Sequence, residues 1–376
     1  MSFDMGHVPR TVFGAGRVAD VATEAATMGA HTALVICDPF LTRSGALEAL
    51  TAPLTTAGIA WQTFDSFEGE PKTAHVTDAA RAAAACDLVI GIGGGSALDI
   101  AKSAAAIADP DAQADDYAIH GKALPARRPR AAIMVPTTAG TGSESSATNI
   151  MTDPEGAKRW IWGAQTKPDL IVLDPALTVT LPPHLTAWTG MDALIHAFEA
   201  ATNRHTHPGA QLHAHHALRL AVGALSRAVS HGDDLEARGA LMLASYHAGI
   251  AIDMCGTAIA HNVSHALARF GPIHHGLATA LAFEATLPWL VTNDTPQIAA
   301  ASAALGTTTQ DLPVHVTALM DACTIARALP GTCPRPDVTA LATAMRAPTN
   351  RPMLDATVGA PDVDALAAAV LARLDA

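Results

Sequence analysis

Asp192 and His196 stand four residues apart in Thr189-Gly190-Met191-Asp192-Ala193-Leu194-Ile195-His196. On a helix this spacing brings both side chains to one face, about one turn apart, where a carboxylate and an imidazole can grip one cation. A second pair with the same spacing, His261 and His265, follows, and His275-Gly276 comes after a break at Gly271-Pro272. Three His and one Asp form a borderline nitrogen and oxygen set, suited to iron(II) or zinc and poorly suited to metals that seek sulfur. The chain holds 18 His, so most of them must serve packing or the surface. His213, His215 and His216 look equally metal-like by count, but no carboxylate accompanies them and they read as the solvated face of a helix.

A second chemistry is signalled by Gly93-Gly94-Gly95-Ser96-Ala97-Leu98-Asp99, which follows the apolar run Asp87 to Ile92. Glycines at a strand end let backbone N–H groups approach a pyrophosphate, and a helix starting near Ser96 aims its positive end at the same anion. Gly94, Gly95, Ser96 and Asp99 are therefore candidate cofactor residues, although a tight turn without a ligand explains the glycines alone equally well. Asp38, after the run Thr32 to Cys37, stands where an acidic side chain in dinucleotide folds accepts hydrogen bonds from the adenosine ribose. A carboxylate there would repel a 2′-phosphate, which favours NAD over NADP; an ordinary Asp-Pro turn is the alternative. Pro136-Thr137-Thr138-Ala139-Gly140-Thr141-Gly142-Ser143-Glu144 places the hydroxyls of Thr137, Thr138, Thr141 and Ser143 in a loop at another strand end, where open α/β sheets bind ligands.

The elements that must carry these residues change character along the chain. Short β-branched runs (32–37, 87–92, 131–135, 170–173) alternate with Ala-rich helical stretches at 78–85 and 97–108, which predicts parallel strands covered by helices. After Pro182 long amphipathic segments take over, at 190–202, 210–230, 235–255 and 260–270. The expected fold is an α/β dinucleotide-binding domain over residues 1–178 and an all-α domain over 180–376. A formal net charge of −12 makes nucleic acid and anionic membrane poor partners. Five scattered cysteines without a Cys-x-x-Cys pair read as reduced thiols. The N-terminus lacks a signal-peptide pattern, and no apolar run is long enough to span a bilayer, so a soluble, cytoplasmic protein is expected. The low charged fraction of 15% and recurrent Ala fit a homodimer or larger homo-oligomer, although a high-GC genome would also enrich Ala.

Taken together, these segments resemble the iron-containing alcohol dehydrogenase family from about Phe13-Gly14 through Pro288. Gly93-Gly94-Gly95-Ser96-x-x-Asp99-x-Ala101-Lys102 looks like its pyrophosphate loop, and the Pro136 to Glu144 segment like its second cofactor loop. Gly190-Met191-Asp192-Ala193-Leu194-x-His196-Ala197-x-Glu199-Ala200 looks like its first metal segment, and His261-x-x-x-His265 followed by His275-Gly276 like the remainder. The resemblance implies an iron-containing alcohol dehydrogenase (dehydroquinate synthase-like) fold with the active site between its two domains. It implies Asp192, His196, His261 and His275 as ligands of a divalent metal, iron(II) before zinc, and His265 beside the nicotinamide as the candidate catalytic proton relay. Lys158 matches a family Lys near the nicotinamide ribose. Thr148 and Asn149, after the second loop, are the expected substrate contacts.

The chain departs from the family pattern at Asn262, where Gly is common. It departs again at Leu267-Ala268-Arg269 in place of Leu-Gly-Gly, at His274 in place of Pro, and at Gly69-Glu70-Pro71-Lys72 in place of Pro-Asn-Pro-Thr. None removes a ligand, and most are expected near the substrate pocket. Arg269 and Lys72 leave an anionic substrate open. The implied activity is NAD(H)-linked interconversion of a small primary or secondary alcohol and its carbonyl compound. The rival readings are an NAD-using sugar-phosphate cyclase, which needs a basic phosphate pocket, and a non-catalytic nucleotide- or metal-binding protein.

Overall fold

The structure is a computed structural model that describes residues 2–359 and 361–374. Six short apolar runs form one parallel sheet: β1 (Arg10–Phe13), β2 (Thr32–Cys37), β3 (Ala60–Phe64), β4 (Leu88–Gly93), β5 (Ala131–Pro136) and β8 (Leu170–Leu173). Between β5 and β8 the chain adds an antiparallel hairpin, β6 (Thr148–Thr152) and β7 (Lys158–Trp162). The sheet order is β1-β8-β5-β4-β2-β3. From β2 the chain first moves outward to β3 and then returns to the other side of β2 as β4, so the order reverses between β2 and β4. Ligands of open α/β sheets bind at the carboxyl ends of strands flanking such a reversal.

The central strands are buried on both faces. Leu34, Ile36, Val89 and Met134 face one apolar cluster with α4 (Thr73–Ala83) and α5 (Gly95–Ile107). Val35, Ile90, Ile92 and Val135 face the other, with α1 (Val21–Thr27) and α3 (Glu48–Thr56). Burial of each such side chain contributes roughly 1.5–3 kcal/mol before entropy is counted. Helix α2 (Pro39–Ser44) starts directly after β2, with Pro39 in its first turn and the Asp38 carboxylate accepting from the Phe40 N–H.

From residue 183 the described chain is helical. Helices α6 (Pro183–Thr202), α7 (Pro208–Ser230), α8 (Leu235–Cys255), α9 (Ile259–Leu267) and α10 (His275–Thr292) come first. They are followed by α11 (Pro296–Ala304), α12 (Leu312–Ala322), α13 (Val338–Met345), α14 (Arg351–Ala356) and α15 (Val363–Arg373). Helix α6 begins at a Pro-Pro pair, whose fixed φ suits a first turn, and is buried from Thr189 through Thr202. It packs on α7, α8 and α10, so any polar side chain along that stretch must find its partner inside the protein.

The chain divides into two compact units between Thr178 and Val179. The sequence suggested contiguous domains, but two short segments cross the division: the stretch ending at Met5 and residues 139–142 both group with the helical unit. Their reasons are local contacts that spacing cannot reveal. Phe3 stacks on His207 with ring centroids 4.5 Å apart, and the Gly140 carbonyl accepts from His196 Nδ1 at 3.3 Å. No helix among the described residues is long and apolar enough to cross a membrane.

Candidate metal centre and cofactor turn

Three helices of the second unit converge on one small volume. Helix α6 supplies Asp192 and His196, α9 supplies His261 in its first turn, and α10 supplies His275 as its first residue. One ligand atom from each lies within 4.8 Å of all the others. His261 Nε2 and His275 Nε2 are both 3.5 Å from Asp192 Oδ1. A tetrahedral shell with bonds of about 2.1 Å has edges of roughly 3.4 Å, so this spacing fits a first-row divalent ion. The His196 and His261 rings lie nearly parallel, centroids 4.3 Å apart. Gly276 makes the approach of α10 possible, because a Cβ there would come within 2.3 Å of the Trp188 carbonyl oxygen on α6.

The donor set is buried and incompletely satisfied. Asp192 Oδ1 and His261 Nε2 have negligible solvent exposure and make no hydrogen bond. Buried groups of this kind are rare, and an ion is one of the few explanations for them. Burial by itself would raise the Asp192 carboxyl, but the imidazoles of His196, His275 and His261 hold it well below the usual carboxylate range. Burial pushes His196 down to about 4, keeping it neutral at pH 7. His261 is penalised by burial yet raised to about 9, because Glu199 and Asp192 flank it.

Each ring is held from behind. His196 Nδ1–H donates to the Gly140 carbonyl at 3.3 Å, which leaves Nε2 as its free nitrogen. His261 Nδ1–H donates to Glu199 Oε2 at 2.6 Å. Ser264 Oγ lies 3.5 Å from His275 Nδ1, and Thr279 Oγ1 donates to that Ser264 oxygen at 3.0 Å. His265, half-buried, stands outside the set with its ring 5.6 Å from that of His275.

Glu199 carried no role in the sequence reading. Its signal was present, since an acid three residues past His196 shares the face that bears both α6 ligands. Asn262 turns out to be an anchor: its amide donates to the Met345 and Asn350 carbonyls at 2.9 Å each, tying α9 to the end of α13 and the start of α14. Arg269 is exposed just beyond α9, and His274 caps α10 while its ring packs on Trp188 at 5.0 Å.

The expectation for His213, His215 and His216 needs correction. Only His216 is exposed; His213 Nδ1 lies 3.0 Å from His247 Nδ1 on α8, because α7 and α8 pack along their lengths. Burial together with His213 and His216 pushes His247 down to about 4, so a half-buried neutral imidazole on α8 packs against this stretch of α7, which is only partly a solvated face.

In the first unit, sheet register gathers the candidate cofactor residues. Cys37 pairs with Ile92 and Gly93 with Pro136, so Asp38, Gly94 and Thr137 leave three adjacent strands at nearly one level. Gly93 has φ +149°, and a Cβ there would lie 3.4 Å from the Asp38 nitrogen. Thr137 N–H donates to the Gly93 carbonyl at 2.9 Å, and the Thr138 side chain faces Gly94. Gly94 caps α5 without a side-chain hydrogen bond, and Gly94, Gly95 and Ser96 are partly exposed, which leaves a helix N-terminus suited to an anion. Asp38 also lines a groove of about 650 Å³ with Arg43, Asp65, Glu68, Lys72 and His75.

Several of the other candidates also make contacts within the scaffold. Asp99 accepts from Ser143 Oγ at 2.5 Å and from Ile150 N–H at 3.0 Å. Lys102, fully buried, donates to the carbonyls of Ser143, Ser146 and Thr148 at 2.6, 3.0 and 3.0 Å and so moulds the loop that follows Gly142. Asn149 is buried, its amide donating to the Ala147 and Ile161 carbonyls, and Thr148 is half-buried beside it at the start of β6. Lys158 on β7 pairs with Glu70 and donates to Thr152 Oγ1 at 3.2 Å. Thr141 lies in the 139–142 segment that groups with the helical unit.

Comparison with known proteins agrees with this architecture. Residues 9–175 match the family described as iron-containing alcohol dehydrogenase, and residues 186–332 match the C-terminal part of the Fe-containing alcohol dehydrogenase family. A probable alcohol dehydrogenase EutG of Escherichia coli (strain K12) is 38% identical over 280 residues, covering 73% of this chain and 69% of that protein. A sulfoacetaldehyde reductase of Bilophila wadsworthia is 33% identical over 74% of this chain and 72% of its own length. The crystal structure of sulfoacetaldehyde reductase from Bifidobacterium kashiwanohense in complex with NAD+ superposes with a TM-score of 0.89 at 27% identity, covering 98% of both chains. On this evidence the chain belongs to the iron-containing alcohol dehydrogenase family.

Proposed function

We propose that this chain catalyses the NAD(H)-linked interconversion of a small alcohol and its aldehyde or ketone, with Asp192, His196, His261 and His275 holding a divalent metal. Iron(II) is the first choice and zinc the second, since a set of three imidazoles and one carboxylate suits both. The observation that carries the reading is the pair of buried atoms, Asp192 Oδ1 and His261 Nε2, left without hydrogen bonds among converging ligands. When bound, the metal supplies Lewis-acid polarisation of the substrate oxygen, and NAD supplies the hydride acceptor.

The chain's own residues do the rest. Asp192 stays ionised, so the centre keeps one negative charge to offset the cation. His265, half-buried next to His275, is read as the group that carries the alcohol proton away. The N-terminus of α5 receives the pyrophosphate. Asp38, with Asp65 and Glu68 lining the same groove, favours the ribose hydroxyls of NAD over the phosphate of NADP. Lys72 lines that groove as well and is assigned to the cofactor side. Exposed Arg269 and the two sulfoacetaldehyde reductases among the relatives support an anionic aldehyde as one substrate class to test. Five free, buried cysteines suit a reducing, cytoplasmic setting, and a homo-oligomer is the expected assembly.

The test is NADH consumption by protein reconstituted with iron(II) without oxygen, or with zinc, over small neutral aldehydes, keto acids and sulfonated or phosphonated aldehydes. Metal-dependent turnover with one class is expected. Absence of net NADH consumption throughout, or recycling of NAD during ring closure of a sugar phosphate, would contradict it. In the same assay His265→Ala is expected to cut kcat by roughly 10²-fold or more and to flatten its pH profile. An unchanged profile removes the relay.

A further inference from the structure

We propose that Glu199 is a positioning residue that presents Nε2 of His261 to the metal, so that α6 controls three of the four ligands. This rests on the metal reading above. Glu199 is 3% exposed and takes three hydrogen bonds: from Ala258 N–H at 2.7 Å, from Ala260 N–H at 2.6 Å and from His261 Nδ1–H at 2.6 Å. The two backbone donors belong to the start of α9, whose N-cap, Ala258, has no side chain able to cap it. A carboxylate from a helix 59 residues upstream therefore does the capping, with its charge at the positive end of the helix.

The third bond gives that cap a consequence for chemistry. With Nδ1–H engaged by the Glu199 carboxylate, Nε2 is the nitrogen left to bind a metal, giving up its own proton as it does so, and the carboxylate behind the ring makes it a stronger donor. The hydrogen bond of His196 Nδ1–H goes to a neutral carbonyl, that of Gly140 at 3.3 Å, with an Asp192 oxygen farther off at 3.8 Å. One helix thus bears Asp192 and His196 at the centre and, a turn further on, the group that aims the third ligand. Ring orientation, tautomer and helix start are fixed together by one side chain.

Cobalt(II) titration of the apoprotein, with Glu199→Gln and Asn262→Ala alongside, tests the proposal. Gln keeps the shape but offers one acceptor oxygen to three donors. We expect Glu199→Gln to bind cobalt about 10–100-fold more weakly than wild type. Asn262→Ala removes an α9 anchor that does not touch the ring and should stay close to wild type. In the proton spectrum of the cobalt-loaded wild type, the His261 Nδ1–H should give a paramagnetically shifted resonance that exchanges slowly with solvent, and it should broaden or vanish in Glu199→Gln. Equal cobalt affinity in Glu199→Gln, or an equal loss in Asn262→Ala, overturns the positioning role while leaving the metal site intact. If Glu199→Gln does not fold, the wild-type spectrum decides alone: a His261 ring bound through Nδ1 overturns the proposal. Failure of wild type itself to bind cobalt would instead overturn the metal reading.

Discussion

Asp192 and Glu284 are both buried carboxylates of the helical unit, yet their surroundings differ. Glu284 on α10 is closed: Oε1 accepts from Thr317 Oγ1 at 2.8 Å and from Arg327 and Arg373 at 2.9 and 2.8 Å. Its Oε2 accepts from Nε of the same two arginines at 3.1 Å each. The cluster ties α15 and the segment after α12 onto α10, and Asp321, paired with Arg327 at 2.5 Å, balances its charges. Asp192 is open. Its neighbours are imidazoles that can be neutral, and its Oδ1 makes no hydrogen bond. Equal burial with unequal satisfaction separates a carboxylate that holds the fold from one that is proposed to hold an ion.

The largest test of this contrast is Asp192→Asn. It should abolish stoichiometric metal binding and lower kcat/KM by roughly 10³-fold or more, while circular dichroism shows a retained fold. Metal content at the wild-type level would break the comparison.

Glu284→Gln should do the reverse, leaving metal content unchanged and costing stability. Burial alone would raise Glu284, but Arg373, Arg327 and Thr317 bring it down to about 2 from an ordinary 4.5. A folded value below the unfolded one means the stabilisation is present above pH 4.5 and lost as pH falls towards 2. Denaturant unfolding should therefore show a deficit of about 3 kcal/mol at pH 7, shrinking through that window. A deficit independent of pH would remove the charge from the explanation.

The smallest effect is expected at the third cluster, where His213 and His247 satisfy one another through a single hydrogen bond. His213→Ala should cost only about 1 kcal/mol and leave metal stoichiometry at one per chain. Loss of metal in that variant would show that histidine clustering, rather than open coordination, marks a site.

The sequence and the structure agree best where local pattern decides the outcome. Strands β2 and β8 fall on the residues expected from their β-branched runs, β4 is shifted by one residue at each end, and β5 runs one residue further. Strands β1 and β3 were not expected because they are short sheet edges; Ala60 to Thr63 are exposed throughout, so no apolar alternation marks them. The β6–β7 hairpin was missed too, its strands being short and only partly buried.

Within the candidate centre, spacing put Asp192 and His196 on one helical face. It could not supply the partners behind the rings. Glu199 lies 62 residues before His261, and Gly140 lies 56 residues before His196. Nor could spacing show that the Ser143 hydroxyl donates to Asp99, or that Lys102 donates to three loop carbonyls. Those bonds form only once β4, α5 and the hairpin have packed.

X-ray absorption at the metal edge of the reconstituted protein tests the central claim most directly. The expected spectrum is one ion per chain with nitrogen and oxygen neighbours at about 2.0–2.2 Å and the outer-shell scattering of three imidazoles. A shell without imidazole scattering, or one that survives replacement of His196, His261 and His275 together, would contradict the account.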